Sequence, residues 1–333
     1  MGAREKFLVT GSAGCIGAWA MFLLSREGTE VVGLDLSTDH RRLRLLTDQQ
    51  GSMTLRQGDI TDTDSVLGIV ATEGITHIVH LAALQIPFCQ ADPVGGAQVN
   101  VVGTINVLEA ARRSSVAGLA YASSVAVYGP PDLYPDGVAD DSPLAPTTLY
   151  GTYKQANERS ARVYAADHGV SSVCLRPCSV YGVGRDQGLT SAPTQAMVAA
   201  AAGTPYCIPF GGASTFQHAG EVARLFIAAA RAEVSGAHVY NLGGPCVRIA
   251  DVVSLISDEV PGSEITYGGD PLPLPDHYDG SGLAGLLGGV EYLSMEEGVR
   301  SSVSRFRELL ADGLITPPGL KSWRASQGDA RQL

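Results

Sequence analysis

Lysine is nearly missing from this chain: its 333 residues include only Lys6, Lys154 and Lys321. With a formal net charge of −11, that scarcity excludes the broad basic face needed to neutralise nucleic-acid phosphates. No apolar run approaches the roughly 20 residues that span a bilayer, so no membrane partner is expected. No positively charged leader with an apolar core is read at the start, and the expected location is cytoplasmic. Cys15, Cys89, Cys174, Cys178, Cys207 and Cys246 lack the close spacing of metal ligands. They read as reduced thiols, and no metal is expected. A compositional linker between independent domains is missing as well. What remains, 45% hydrophobic and 17% charged residues, describes a globular chain long enough to bury a full core.

Near the N-terminus, Lys6 to Thr10 reads as a short buried strand, Gly11-Ser12-Ala13-Gly14-Cys15-Ile16-Gly17 as a tight turn, and Trp19 to Leu24 as the apolar part of a helix. Glycines in such a turn let backbone N–H groups approach a pyrophosphate at the positive end of the helix dipole. Gly11, Ala13, Gly14, Cys15, Ile16 and Gly17 are therefore candidate dinucleotide contacts. A second strand from Glu30 ends in Asp35, roughly 20 residues past the glycines, where an acid binds ribose hydroxyls and repels a 2′-phosphate. NAD is expected over NADP. Arg41 and Arg42 temper that preference, or else occupy the exposed side of the next helix.

Alternation of strand and helix continues. Met53 to Gln57 leads to Asp59 and Ile60, where the acid either meets the adenine or caps the helix after Thr61. His77 to Leu81 is the next strand, with His80 packed; Leu81, Ala82 and Ala83 close it with side chains small enough at 82 and 83 to admit the cofactor. A helical pattern containing Asn100 ends near Arg113. Ala117 to Ala122 precedes Ser123 and Ser124, and a serine at a strand's carboxyl end faces the ligand crevice of an open α/β sheet. Downstream, Tyr150 and Lys154 stand four positions apart and share a helix face. A nearby ammonium favours phenolate, so Lys154 is expected to lower the Tyr150 pKa toward working pH and make it a base for a substrate alcohol. Tyr153, about 100° round the helix from Lys154, is the weaker candidate.

The glycines at 11, 14 and 17, Asp35, Asp59-Ile60, Asn100, the run Ser123-Ser124-Val125-Ala126-Val127-Tyr128-Gly129, and Tyr150 to Lys154 resemble, in order and spacing, the extended short-chain dehydrogenases/reductases of the NAD-dependent epimerase/dehydratase group. The resemblance implies a Rossmann-type doubly wound parallel sheet (α/β) with a smaller C-terminal substrate lobe, and NAD as cofactor. It implies Tyr150 as acid/base, Lys154 on the nicotinamide ribose, Ser124 on the reacting oxygen with Ser123 as runner-up, and Asn100 supporting Lys154 through water. Ser123 and Pro177 join the expected cofactor contacts. Related enzymes often dimerise through two long helices, here about 92–113 and 148–168, so a homodimer is expected.

The nucleotide domain is expected over 1–180, completed by about 219–245; the substrate lobe over 181–218 and 246–316; and a flexible tail over 317–333. Thr194 to Ala202, Val222 to Ala232 and Met295 to Leu310 read as helices, the last presenting Val299, Val303, Phe306 and Leu310 on one face. Pro205 to Pro209 and His238 to Leu242 read as strands. Family members that take nucleotide sugars commonly carry Asn where Ser179 stands, and arginines where this chain has Ser214 to His218 and Leu272 to His277. Each departure removes a donor matched to a diphosphate. Arg185 is the strongest remaining anion contact, or else pairs with Asp186. Gln85, Ser124, Ser179, Gln187, Thr190, Gln217 and His218 complete the candidate substrate contacts, with His218 equally readable as a core histidine. The set suits a neutral or carboxylate-bearing sugar, turned over by an epimerase or by a net dehydrogenase. A dehydratase fits less well because Asp140 and Asp141 lie far upstream of Tyr150, and the intact catalytic set disfavours a non-catalytic NAD sensor.

Overall fold

The computed structural model describes residues 4–48 and 51–319. Its strands, in chain order, are β1 (Lys6–Thr10), β2 (Glu30–Asp35), β3 (Met53–Gln57), β4 (His77–His80), β5 (Gly118–Ala122), β6 (Ser172–Arg176), β7 (Ser179–Tyr181), β8 (Tyr206–Ile208), β9 (Ala213–His218), β10 (Ala237–Asn241), β11 (Cys246–Arg248) and β12 (Ile265–Tyr267). Seven of them form one parallel sheet in the order β10-β6-β5-β4-β1-β2-β3. A parallel strand buried on both faces reads as a continuous apolar run, and Phe7, Leu8 and Val9 of β1 are all fully buried. Phe7 and Val9 pack under the helices Cys15–Arg26 and Ala219–Arg231, while Leu8 faces the opposite layer with Val66, Val70, Val107 and Ala161. This is the doubly wound α/β architecture expected from the sequence.

Two smaller sheets, β11-β9-β7 and β12-β8, stand with the helices Ala192–Ala201, Ile249–Glu259 and Met295–Ala311 around a second core that includes Met197, Phe210, Phe216 and Ile256. Val299, Val303 and Phe306 enter that core as expected, but the last turn buries Leu309 rather than Leu310, because the chain folds back after Ala311 and the Leu314 amide donates to the Leu309 carbonyl at 2.9 Å. The helix Ser281–Leu287 packs instead on the nucleotide side, through Leu283, Leu286 and Leu287. The long helix expected near 92–113 is Pro93–Ala97 and Gly103–Arg113 joined by a π-helical turn, Gln98–Val102. Of the expected tail, residues 317–319 have no regular structure, and 320–333 lie outside the described residues.

His80 is packed, and its surroundings make it a pH sensor for stability. Thr10 Oγ1 accepts from the Leu81 and Ala82 amides, which leaves its proton for His80 Nδ1 at 2.7 Å; His80 Nε2 then donates to Thr104 Oγ1 at 3.1 Å. Burial, helped by the Lys154 charge, pushes the imidazole pKa down to about 3. The folded state refuses a proton that the unfolded chain takes up below its ordinary value of about 6.5, so stability falls as pH drops through that window. From pH 6.5 to pH 5 the loss attributable to His80 is expected to be about 2 kcal/mol, read by urea unfolding as the difference between the wild type and His80→Gln. Equal slopes for the two proteins would remove His80 as the cause.

Candidate active site

The chain leaves β1 for β2 and β3 on one side and returns to β4 on the other, so the crevice opens between the carboxyl ends of β1 and β4, where open α/β sheets bind ligands. Gly11 has φ +70°, and a side chain there would collide with the Leu81-Ala82 backbone. A Cβ at Gly17 would lie 2.1 Å from the Gly11 carbonyl. Glycine is thus required for the turn and for bringing it against Leu81, Ala82 and Ala83. The helix Cys15–Arg26 starts at Gly14 with no side-chain cap and no acid in its first turn, leaving its N–H groups and dipole for an anionic ligand. Asp35 accepts the Ala13 amide at 2.9 Å, which fixes the carboxylate against the glycine loop. Together these residues fit the pyrophosphate and ribose of a dinucleotide.

Two expectations change here. Asp59 folds back on Thr61, and the cap of the helix Thr63–Thr72 is Asp62, whose side chain accepts from Ser65 N. An acid one turn nearer the helix wins the capping role because its carboxylate reaches the N3 amide. Arg42 leaves the exposed side of its helix: it donates to the Ala13 carbonyl at 2.9 Å and to Asp186, with its side chain only 15% exposed.

The helix Leu149–His168 starts at Thr148, which accepts the Gly151 amide, and ends at Gly169 in the left-handed conformation. It can lie so close to the strand-end loop only because a Cβ at Gly151 would sit 2.1 Å from the Ala126 carbonyl. That contact sets Tyr150 against Ser124. Burial pushes the phenol up, outweighing the Ser124 hydroxyl and the Arg185 charge, which both favour phenolate. Lys154 is buried, donates to the Ala122 carbonyl at 2.7 Å and stands 5.6 Å from the centre of the Tyr150 ring. Burial holds its ammonium down at about 8. The expected net lowering of the Tyr150 pKa is therefore reversed: desolvation disfavours phenolate, and the ammonium sits over the ring, drawn toward a carbonyl. Tyr153 points away and donates to the Pro93 carbonyl.

Other expected contacts turn out to be committed elsewhere. Ser123 donates to Glu158 at 2.6 Å, so its proton is committed to that carboxylate. The Asn100 side chain clamps both backbone groups of Leu84 instead of turning toward Lys154. Its own carbonyl accepts from Asn157 and from the Thr104 hydroxyl. Ser179 is buried against Ser214 at 2.7 Å. Gln217 donates to the Leu242 and Gly243 carbonyls and accepts the Cys178 amide, which uses its amide group within the fold. His218 caps the helix Ala219–Arg231 and lies edge-on to Trp19 and Tyr181; burial pushes it down to about 4. Each of these polar side chains fills a backbone or core demand that water cannot meet. Pro177 stays beside the site, its carbonyl accepting the Val125 amide.

The remaining substrate candidates converge. A Cβ built at Gly188 would lie 2.7 Å from Gln85 Oε1 and 3.4 Å from Arg185 Nη2, and Arg185 donates to Thr190 at 2.9 Å. Arg185 does not pair with Asp186, which Arg42 and Arg41 hold instead. Its Nε is buried without a hydrogen-bond partner, and its charge acts on Tyr150 and on Cys15. Gln187 is exposed on the same loop. Sequence reasoning missed the buried pair Glu158–Arg176 beneath the site. It was readable as an acid four residues beyond Lys154 and as a lone charge in the apolar strand β6, each needing a partner.

This Rossmann-type fold with a glycine turn, a ribose-side acid and a Ser-Tyr-Lys cluster at the switch point defines a dinucleotide-dependent oxidoreductase-type site. The chain belongs to the NAD dependent epimerase/dehydratase family, whose model matches residues 7–243. It is 35% identical over 183 residues to UDP-glucose 4-epimerase of Lactobacillus helveticus, covering 54% of this chain and 53% of that one. It is 31% identical over 182 residues to UDP-glucuronate 4-epimerase 4 of Arabidopsis thaliana, covering 53% and 41%. The chain thus spans about half the length of the curated relatives it matches. Among solved structures it is similar to MoeE5 in complex with UDP-glucuronic acid and NAD, at 26% identity and a TM-score of 0.77 over 91% of this chain and 99% of that one. The GalE-like L-threonine dehydrogenase from Cupriavidus necator matches at 25% identity and a TM-score of 0.79 over 90% and 99%.

Proposed function

We propose that this protein is an NAD-dependent sugar epimerase whose substrate carries an anionic group near the reacting alcohol. The observation that carries the reading is the Ser124, Tyr150 and Lys154 cluster beside the glycine-turn crevice, with the buried Lys154 ammonium 5.6 Å from the centre of the Tyr150 ring and bonded to the Ala122 carbonyl at the end of β5. Gly11, Ala13, Gly14, Cys15, Ile16, Gly17 and Asp35 would hold the dinucleotide, with Leu81 to Ala83 as its far wall. NAD supplies a carbon that accepts a hydride and can return it. Tyr150, as phenolate, would take the alcohol proton as the carbon–hydrogen bond breaks and give it back on reduction, Ser124 would orient the oxygen, and Lys154 would hold positive charge near that phenolate, against the burial that disfavours it.

Arg185 is the anion contact in this reading, because its Nε is buried without a partner while its Nη2 donates to Thr190 and its charge acts on Tyr150. Relatives named for UDP-glucuronate, and a neighbour solved with UDP-glucuronic acid, support a uronic acid as the form of that anion. We assign the segments 181–218 and 246–316, apart from the helix Ser281–Leu287 that packs on the nucleotide side, to substrate binding and 1–180 with 219–245 to the cofactor. Val94, Val102, Leu149 and Val163 remain exposed on the two long helices and support a homodimer through them.

A second reading, net oxidation with release of NADH, is favoured by the L-threonine dehydrogenase neighbour, since threonine is itself a carboxylate-bearing secondary alcohol. Purified protein is incubated with NAD and free sugars, sugar acids, nucleotide sugars or threonine, following NADH absorbance and product stereochemistry. An epimer without NADH supports the first reading; stoichiometric NADH replaces it with the second. Arg185→Ala is expected to raise KM for an acidic substrate at least tenfold, with NADH binding unchanged. Tight binding of UDP alone, abolished by the same substitution, would instead assign Arg185 to a diphosphate.

A further inference from the structure

The loop after β7 is fastened to the cofactor side of the crevice. The Val183 carbonyl accepts from Trp19 Nε1 at 2.9 Å, which anchors the loop on the helix that follows the glycine turn. Three residues later Asp186 Oδ1 accepts from Arg42 Nε at 3.0 Å and from Nη2 at 2.7 Å. The remaining terminal nitrogen of Arg42 donates to the Ala13 carbonyl at 2.9 Å, while the amide of that same residue donates to Asp35. Arg42 and Asp35 therefore grip two ends of one residue, and the guanidinium stands at the ribose pocket. Arg41 adds a second charge, its Nη2 3.6 Å from Asp186 Oδ2.

A guanidinium near the β2 acid is the usual means of accommodating a 2′-phosphate. Here that means is present and tied up. Arg42 presents Nε and Nη2 to one carboxylate oxygen of Asp186, from a part of the chain more than 140 residues away, and Asp186 brings its own negative charge to the guanidinium. A phosphate arriving at the ribose would have to displace that contact and meet both carboxylates.

We propose that Asp186, a residue of the loop on the substrate side, determines the preference for NAD by withholding Arg42 and Arg41 from a 2′-phosphate. The proposal rests on the dinucleotide site described above and concerns which dinucleotide it admits. The test is equilibrium binding of NADH and NADPH, followed by nicotinamide fluorescence, to wild type, Asp186→Asn, and Asp186→Asn combined with Arg42→Met. Asp186→Asn is expected to tighten NADPH binding at least tenfold while NADH binding stays within threefold, and the added Arg42→Met to cancel the gain. An unchanged NADPH-to-NADH ratio in Asp186→Asn overturns the proposal. So does a gain that survives Arg42→Met, since repulsion by Asp186 alone would then be the cause, and so does an equal loss for both nucleotides, which would make Asp186 a prop for the loop. A wild type that binds neither nucleotide would sink the dinucleotide reading itself, an outcome distinct from these three.

Discussion

Tyr150→Phe is expected to lower kcat by about 10² to 10⁴, the range for losing a positioned acid/base. The substitution removes one oxygen and leaves the ring beside Lys154 in place. NADH affinity should therefore hold within about threefold and substrate KM should change little, because the lost interaction matters only while the proton moves. The size of the effect follows from how the phenol is situated. Burial raises its pKa and so opposes the phenolate that must accept the alcohol proton, whereas Ser124 and Arg185 both favour that phenolate. Steady-state kinetics alongside NADH titration check it; a kcat within threefold of wild type would remove Tyr150 from the chemistry.

The largest expected loss of stability lies one layer below. Arg176 and Glu158 have side chains 1% and 2% exposed and meet through two contacts of 2.8 Å. Arg176 also donates to the Asp140 carbonyl and to Tyr128, and Ser123 donates to Glu158. Removing one partner strands the other charge where water cannot reach it, so Arg176→Met should destabilise the fold by about 3–5 kcal/mol. Adding Glu158→Leu should restore much of that loss, because two apolar groups of similar volume leave no unpaired charge. Urea unfolding with an unchanged slope measures both. A loss below about 1 kcal/mol for Arg176→Met would mean that water enters and the pair is not truly buried. Because Ser123 precedes Ser124 and Glu158 lies one helical turn beyond Lys154, the same pair also joins the two chain segments that carry the site.

What could be read from the sequence follows from how local each signal is. β1 and β3 were legible to the residue, β1 because a buried parallel strand is a short apolar run between turn residues, β3 because alternation of strand and helix brackets it between turns. The glycine turn, Asp35, Ser124, Tyr150 and Lys154 were legible because their chemistry depends on spacing within one strand end or one helix turn. β7, β9, β11 and β12 were not, being three to six residues long and mostly polar or mixed. Ser179, Gln217 and His218 looked like substrate contacts for the same reason: a polar side chain near a crevice and one that satisfies a buried backbone are identical in sequence. Only the partners distinguish them, and Gln217 finds its carbonyls 25 and 26 residues away. The net direction of the Tyr150 pKa was equally hidden, because spacing shows the nearby cation but not the desolvation that outweighs it.

The order of the sheet has a consequence for synthesis. Six strands are complete once Arg176 has been made, but β6 gains its second neighbour only when β10 emerges, about 60 residues later. All five residues of β6 are buried in the finished fold, so during that interval the nascent chain carries an open, apolar edge of the kind that recruits strands from other chains. At translation rates of roughly 5–20 residues per second the exposure lasts several seconds. Chains released between Arg176 and Asn241 should therefore aggregate rather than persist as a smaller nucleotide-binding fragment.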